Sequence, residues 1–146
     1  MPTVYGTNST LALTSGGIGT ANLIARGQQD AVVQVMVDTY EAAALASDST
    51  IYMGRTLPTG ARVIGVKLAY DALSTVTLSV GDAADVDRYI ADTATGNAAG
   101  NSDAILVDGM NYVVGTASSD NQIVIKTTGV STATGTIKVA VYYTQA

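Results

Sequence analysis

The chain contains no histidine, no cysteine, no tryptophan and no phenylalanine, and only 13% of its residues are charged. Each absence closes a class of function. Without His and Cys it has no side chain that ordinarily titrates near neutral pH, no thiolate nucleophile and no thiolate zinc site. Disulfides contribute nothing to stability, and cysteine usage does not define a redox compartment. The only glutamate is Glu41. Glycoside hydrolysis needs two carboxylates flanking the bond, yet the aspartates fall mostly in turns, and no tryptophan offers a stacking platform. Basic residues are few and scattered: Arg26, Arg55, Arg62, Lys67, Arg88, Lys126 and Lys138. The formal net charge is −5. No stretch neutralises a row of phosphates, so no nucleic acid is expected as a partner. An anionic membrane surface is disfavoured for the same reason. The expectation is a structural or binding protein, not an enzyme.

What remains is Val, Ala, Thr, Ser, Gly and eight Tyr in a chain of 146 residues. That length fits one domain, and chains near this size bury roughly 68–70% of their unfolded surface. No run approaches the ~18 apolar residues of a membrane span, and the N-terminus has neither a basic segment nor a continuous apolar one of the secretory kind. The expected product is soluble and made in a cytoplasm.

Residues 1–30 are rich in Thr, Ser, Gly and Asn, and their apolar residues keep no sustained period. They read as an extended arm, either frayed or ordered on a partner or neighbouring subunit. Leu11, Leu13, Ile18, Leu23 and Ile24 favour the second reading. From residue 31 to 146 the pattern is that of a β domain. Val32–Val37 is a β-branched run with apolar residues on both faces. Residues 61–70 place Ile64, Val66, Leu68 and Tyr70 in a long strand. Val76, Leu78 and Val80 alternate with Thr75, Thr77 and Ser79, as in a half-buried strand. Ile123 and Ile125 flank Val124. Ile137, Val139, Val141 and Tyr143 share one face of a last strand, opposite Lys138, Ala140 and Tyr142. Shorter strands are expected at 50–54, 86–90, 104–107 and 111–115.

Turn signals punctuate these runs. Leu57–Gly60 places Pro second and Gly fourth, which suits a type I turn. Asp71–Ser74 has hairpin spacing, and Asp108-Gly109 signals a tight turn. Residues 118–121 and 130–135 read as loops, and 91–101 as a surface loop. Tyr40–Ala46 has the composition of a single helical turn or a loop. Eight or nine short strands with little helix predict an all-β, antiparallel, jelly-roll-like sandwich with an extended N-terminal arm.

Three candidates for chemistry remain. Asp82, Asp85 and Asp87 lie within six residues and offer oxygen ligands for calcium. Their spacing is not that of an EF-hand loop, and a solvated turn whose aspartates bond their own backbone accounts for them too. Asp87 beside Arg88 suggests a local ion pair. A serine–lysine arrangement needs Lys67, Lys126 or Lys138 as base, and each sits in or beside an alternating strand as a solvent-face lysine. Gly16-Gly17-Ile18-Gly19 lacks the strand-to-helix context of a nucleotide loop. No catalytic residue, cofactor or metal site is assigned. The adjacent Tyr142 and Tyr143 point to opposite faces, one toward the core and one toward the surface or an interface.

Residues 51–63, Ile51-Tyr52-Met53-Gly54-Arg55-Thr56-Leu57-Pro58-Thr59-Gly60-Ala61-Arg62-Val63, form a Gly-x-Leu-Pro-x-Gly-Ala-x-Val turn once x absorbs the variable positions. Asp71-Ala72-Leu73, then Thr77-Leu78-Ser79-Val80-Gly81-Asp82, then Asp87-Arg88-Tyr89-Ile90 follow. This series resembles the head decoration, or cement, proteins of tailed bacteriophages. The resemblance covers residues 51–90 in wording and 31–146 in style. It implies a β-sandwich knob on the outer surface of the capsid, commonly a homotrimer, with the major capsid protein as its partner. The alternative is a tail-fibre or receptor- or glycan-binding module of a phage virion. The family pattern carries no catalytic residues.

Overall fold

The computed structural model describes residues 31–46, 48–95, 98–117, 121–129 and 133–145. The expected arm, and the loop expectations at 118–120 and 130–132, lie outside the described residues. The strands are β1 (Val33–Leu45), β2 (Thr50–Met53), β3 (Arg62–Tyr70), β4 (Thr77–Gly81), β5 (Ile90–Ala94), β6 (Gly100–Ser102), β7 (Tyr112–Val113), β8 (Ile123–Thr128) and β9 (Ala133–Thr144). Every ladder is antiparallel. The larger sheet runs β1-β9-β3-β6, with β7 also on β3, and the smaller runs β2-β8-β4-β5. The chain steps between sheets as it advances, so strands distant in sequence become neighbours. With the short β7 set aside, this interleaving is a jelly roll.

Period-two alternation aims one face of each strand into the space between the sheets. Val66, Leu68, Val76, Leu78, Val80, Ile137, Val139 and Val141, the residues whose alternation marks them as core, are each no more than 1% exposed. Ile123 and Ile125 from β8 join the same cluster. Burying one such side chain stabilises the fold by about 1.5–3 kcal/mol, much of it offset by lost conformational entropy.

Several local expectations are corrected. Tyr40–Ala46 is neither helix nor loop: β1 runs through to Leu45, with a register shift against β9 between Ala42 and Leu45. Ala44 has φ +59°, which fits a bulge. Ala42 and Leu45 are buried, so packing on β9 overrides the helix propensity of the alanines. Ile64 is only half-buried while Val63 is fully buried, because a bulge between Val63 and Gly65 changes the phase of β3. Residues 86–89 form turns, with β5 starting at Ile90, and 104–107 form no strand. The ends of the 91–101 segment are strands β5 and β6, and residues 133–135 belong to β9.

The turns differ as well. Ala61 N–H donates to the Pro58 carbonyl at 3.0 Å, and Gly60, third in that turn, has φ +83°. The turn therefore starts one residue later than expected, and glycine supplies the positive φ of a type II turn. Asp71–Ser74 is not a hairpin, since β3 and β4 lie in different sheets. It arches across the sandwich edge. Asp71 receives the Thr136 amide on its carboxylate and donates its own amide to the Thr136 carbonyl, both at 2.9 Å.

Candidate functional site

The acidic segment 81–88 forms a compact turn around Asp82. Its carboxylate is fully buried and accepts the backbone amides of Ala84 at 3.0 Å and Asp85 at 2.9 Å. The Arg88 guanidinium grips the same carboxylate, Nε to Oδ2 at 2.6 Å and Nη2 to Oδ1 at 3.4 Å. Arg88 also lies 4.0 Å from the centre of the Tyr112 ring, and Tyr89 meets Tyr112 edge-on with ring centres 6.3 Å apart. The expectation of a solvated turn is thus corrected: Asp82 is a buried hub. Its ion-pair partner is Arg88, and the pairing expected between Asp87 and Arg88 is replaced by Asp82–Arg88 and a 3.9 Å contact from Arg88 to Asp85. Both Asp82 oxygens are engaged by donors, and among the described residues no three His, Cys, Asp or Glu side chains gather to hold a metal ion. Arg88 carries a raised pKa: burial opposes the charge most strongly, but the hydrogen bond and charge of Asp82 outweigh it. The Asp87 carboxyl is raised, chiefly by its hydrogen bond with Asp85.

This turn covers the outer face of the smaller sheet. Ser79 Oγ donates to the Val86 carbonyl at 3.1 Å, and a Cβ on Gly81 would run into the Asp85 carbonyl. Ser79 and Val124, which alternation would expose, are at most 1% exposed. The "half-buried" strand at 76–80 is therefore covered on both faces. Gly109 serves the same packing: a Cβ there would lie 2.6 Å from the Arg88 carbonyl oxygen, so a glycine expected for turn geometry is required for close approach.

The outer face of the larger sheet has no such cover. Val33, Val35 and Val37 of β1 are 52%, 55% and 64% exposed. Register sets Val35 beside Tyr142 and Gly65, Val37 beside Ala140 and Lys67, and Thr39 beside Lys138 and Ala69. A groove of about 290 Å³ runs between Val37, Lys67, Ala69, Asp103, Lys138 and Ala140. Lys67 and Lys138 are exposed, as expected of solvent-face lysines, and neither has an ion-pair partner among the described residues. Lys126 is half-buried and donates to the Asp48 carbonyl at 2.7 Å. The expected split of Tyr142 and Tyr143 holds in direction, with Tyr143 against the core. Among the described residues β1 has no strand on its second edge, and Val33–Leu45 holds neither the lysine nor the proline that commonly guards an edge strand. The sequence reading marked β1 as apolar on both faces. It could not show that one face stays uncovered, since that depends on which sheet and edge the strand occupies.

No protein-family model matches this chain, and no curated protein matches it. Solved structures do. A chain of the cyanophage Pam1 capsid asymmetric unit superposes with a TM-score of 0.66 at 25% identity, covering 85% of this chain and 93% of that one. A chain of the capsid of Ralstonia phage GP4 superposes with a TM-score of 0.61 at 20% identity, covering 81% of this chain and 88% of that one. The jelly roll is thus shared with chains of viral capsids, and with chains of comparable length.

Proposed function

We propose that this protein is a non-enzymatic phage virion protein that decorates the outside of the head and stabilises it. The observation that carries the reading is the near-full-length likeness to a chain of the Pam1 capsid. A chain that small, folded as one jelly roll, suits an accessory knob. The uncovered valine face supports a life in assemblies, because apolar patches of this kind mark interaction surfaces. The partners in this reading are the major capsid protein and further copies of the chain, with a homotrimer as the form that suits three-fold lattice positions. Residues 1–30 contribute to docking or subunit linkage. Each copy bridges neighbouring capsid subunits, so binding favours the assembled shell by mass action. Trimeric engagement raises avidity beyond any single contact. The tail-fibre or glycan-binding alternative draws no support from the groove, which no aromatic ring lines.

The test compares purified particles with and without the protein. Hundreds of copies per particle, and earlier genome release on heating or osmotic shock when the protein is missing, are expected. A handful of copies would point to a tail component, and equal survival would reject the stabilising role.

A further inference from the structure

Two exposed apolar patches on this molecule carry opposite charge. The first is the outer face of the larger sheet, with Val33, Val35 and Val37 beside Lys67 and Lys138. The second is the loop end where residues 82–88 meet 105–113. There Val107 is 91% exposed, Met110 48%, Val113 43% and Val86 38%, and Asp87 and Asp108 stand exposed among them. The two loops are one body: the Leu106 amide donates to the Tyr89 carbonyl at 2.8 Å, and Arg88 stacks on Tyr112. The patches lie apart. β7 attaches this loop end to the side of β3 away from β9, whereas β1 occupies the opposite edge of the same sheet.

We infer that the chain associates with copies of itself head to tail, the valine–lysine face of one copy receiving the acidic, apolar loop end of the next. This rests on the self-association part of the proposed function and names its surfaces. Charge complementarity selects the second copy as occupant. On a chain of net charge −5, Lys67 and Lys138 form an unpaired basic pair, and Asp87 and Asp108 are carboxylates that no described cation neutralises. Packing two valine–lysine faces against each other about a dyad would instead bring lysine to lysine, a repulsion that disfavours the symmetric dimer. A contact between two different patches is heterologous and closes as a ring when its rotation allows, which is the geometry a homotrimer needs.

The experiment uses the full-length chain at micromolar concentration, with molar mass read by light scattering on a sizing column. Three variants are compared with the wild type: Lys67→Glu with Lys138→Glu, Asp87→Lys with Asp108→Lys, and all four reversals in one chain. All sites are exposed, and circular dichroism checks that each variant keeps its β spectrum. Each double reversal is expected to weaken association at least tenfold, and the fourfold variant to restore it. A wild-type trimer indifferent to either reversal, or a fourfold variant that stays dissociated, overturns the inference while leaving trimerisation standing. A wild type that is monomeric in solution and on the particle overturns it too, yet a monomer that still coats heads leaves the decoration reading intact.

Discussion

Asp82 shows how much one side chain can organise. It takes two backbone amides and an arginine while fully buried, and Arg88 is itself mostly shielded, its side chain 15% exposed. Removing the carboxylate leaves a shielded cation without its partner, which costs about 3–5 kcal/mol in comparable pairs. Asp82→Ala is therefore expected to lower the urea midpoint strongly. Asp82→Asn is expected to lose less, since an amide oxygen still accepts the Ala84 and Asp85 amides. Equal midpoints for Asp82→Ala and wild type would refute the hub. The neighbouring Asp87 behaves differently. Its raised pKa, caused first by the Asp85 hydrogen bond, means the folded state holds that proton more tightly than the unfolded one. Its stabilising contribution is complete below the ordinary carboxylate value and is lost as pH rises through the folded value. Asp87→Asn keeps a donor toward Asp85 without the second charge. It is expected to be neutral to mildly stabilising at pH 7, with the gain vanishing in acid, as measured by denaturation at both pH values.

At the scale of elements, β9 is the spine of the larger sheet, paired along its length with β1 on one side and β3 on the other. Its amides are expected to exchange most slowly. In β1 only the amides aimed at β9 are protected by a ladder, so hydrogen exchange should alternate along Val35–Glu41. Uniform slow exchange there in the dilute protein would contradict an open edge. The core of β8 is equally specific. Ile125 is fully buried between the sheets, and Ile125→Ala removes packing worth about 2–5 kcal/mol, a loss that thermal unfolding would read directly.

For the whole molecule, the composition itself sets a pH expectation. With no histidine, no ordinary side chain changes charge between about pH 6 and 8. Stability and attachment to particles are both expected to stay flat across that interval. A step in either within it would require a strongly perturbed group outside those discussed. Deleting residues 1–30 leaves the ladders from Val33 to Thr144 intact, so the truncated chain should keep its β spectrum while binding heads more weakly. Undiminished binding would remove the arm from the docking surface.

The sequence alone determined what needs only local periodicity and composition. Alternation named Val66, Leu68, Leu78, Val80, Ile137, Val139 and Val141 as core because side chains two apart share a strand face whatever the sheet. The absence of His and Cys excluded whole classes of chemistry without reference to shape. Tertiary structure decided what depends on pairing between distant segments. It turned Tyr40–Ala46 into strand because β9 lay alongside, and it sent Asp71–Ser74 across the sandwich where spacing alone resembled a hairpin. It drew Arg88 to Asp82 because burial rewards the pair that excludes water. It also laid the acidic turn over one sheet and left the other bare. The valines of β1 look the same in sequence as those of the core; only their place at an open edge, on the sheet without a covering loop, makes them a surface for another molecule.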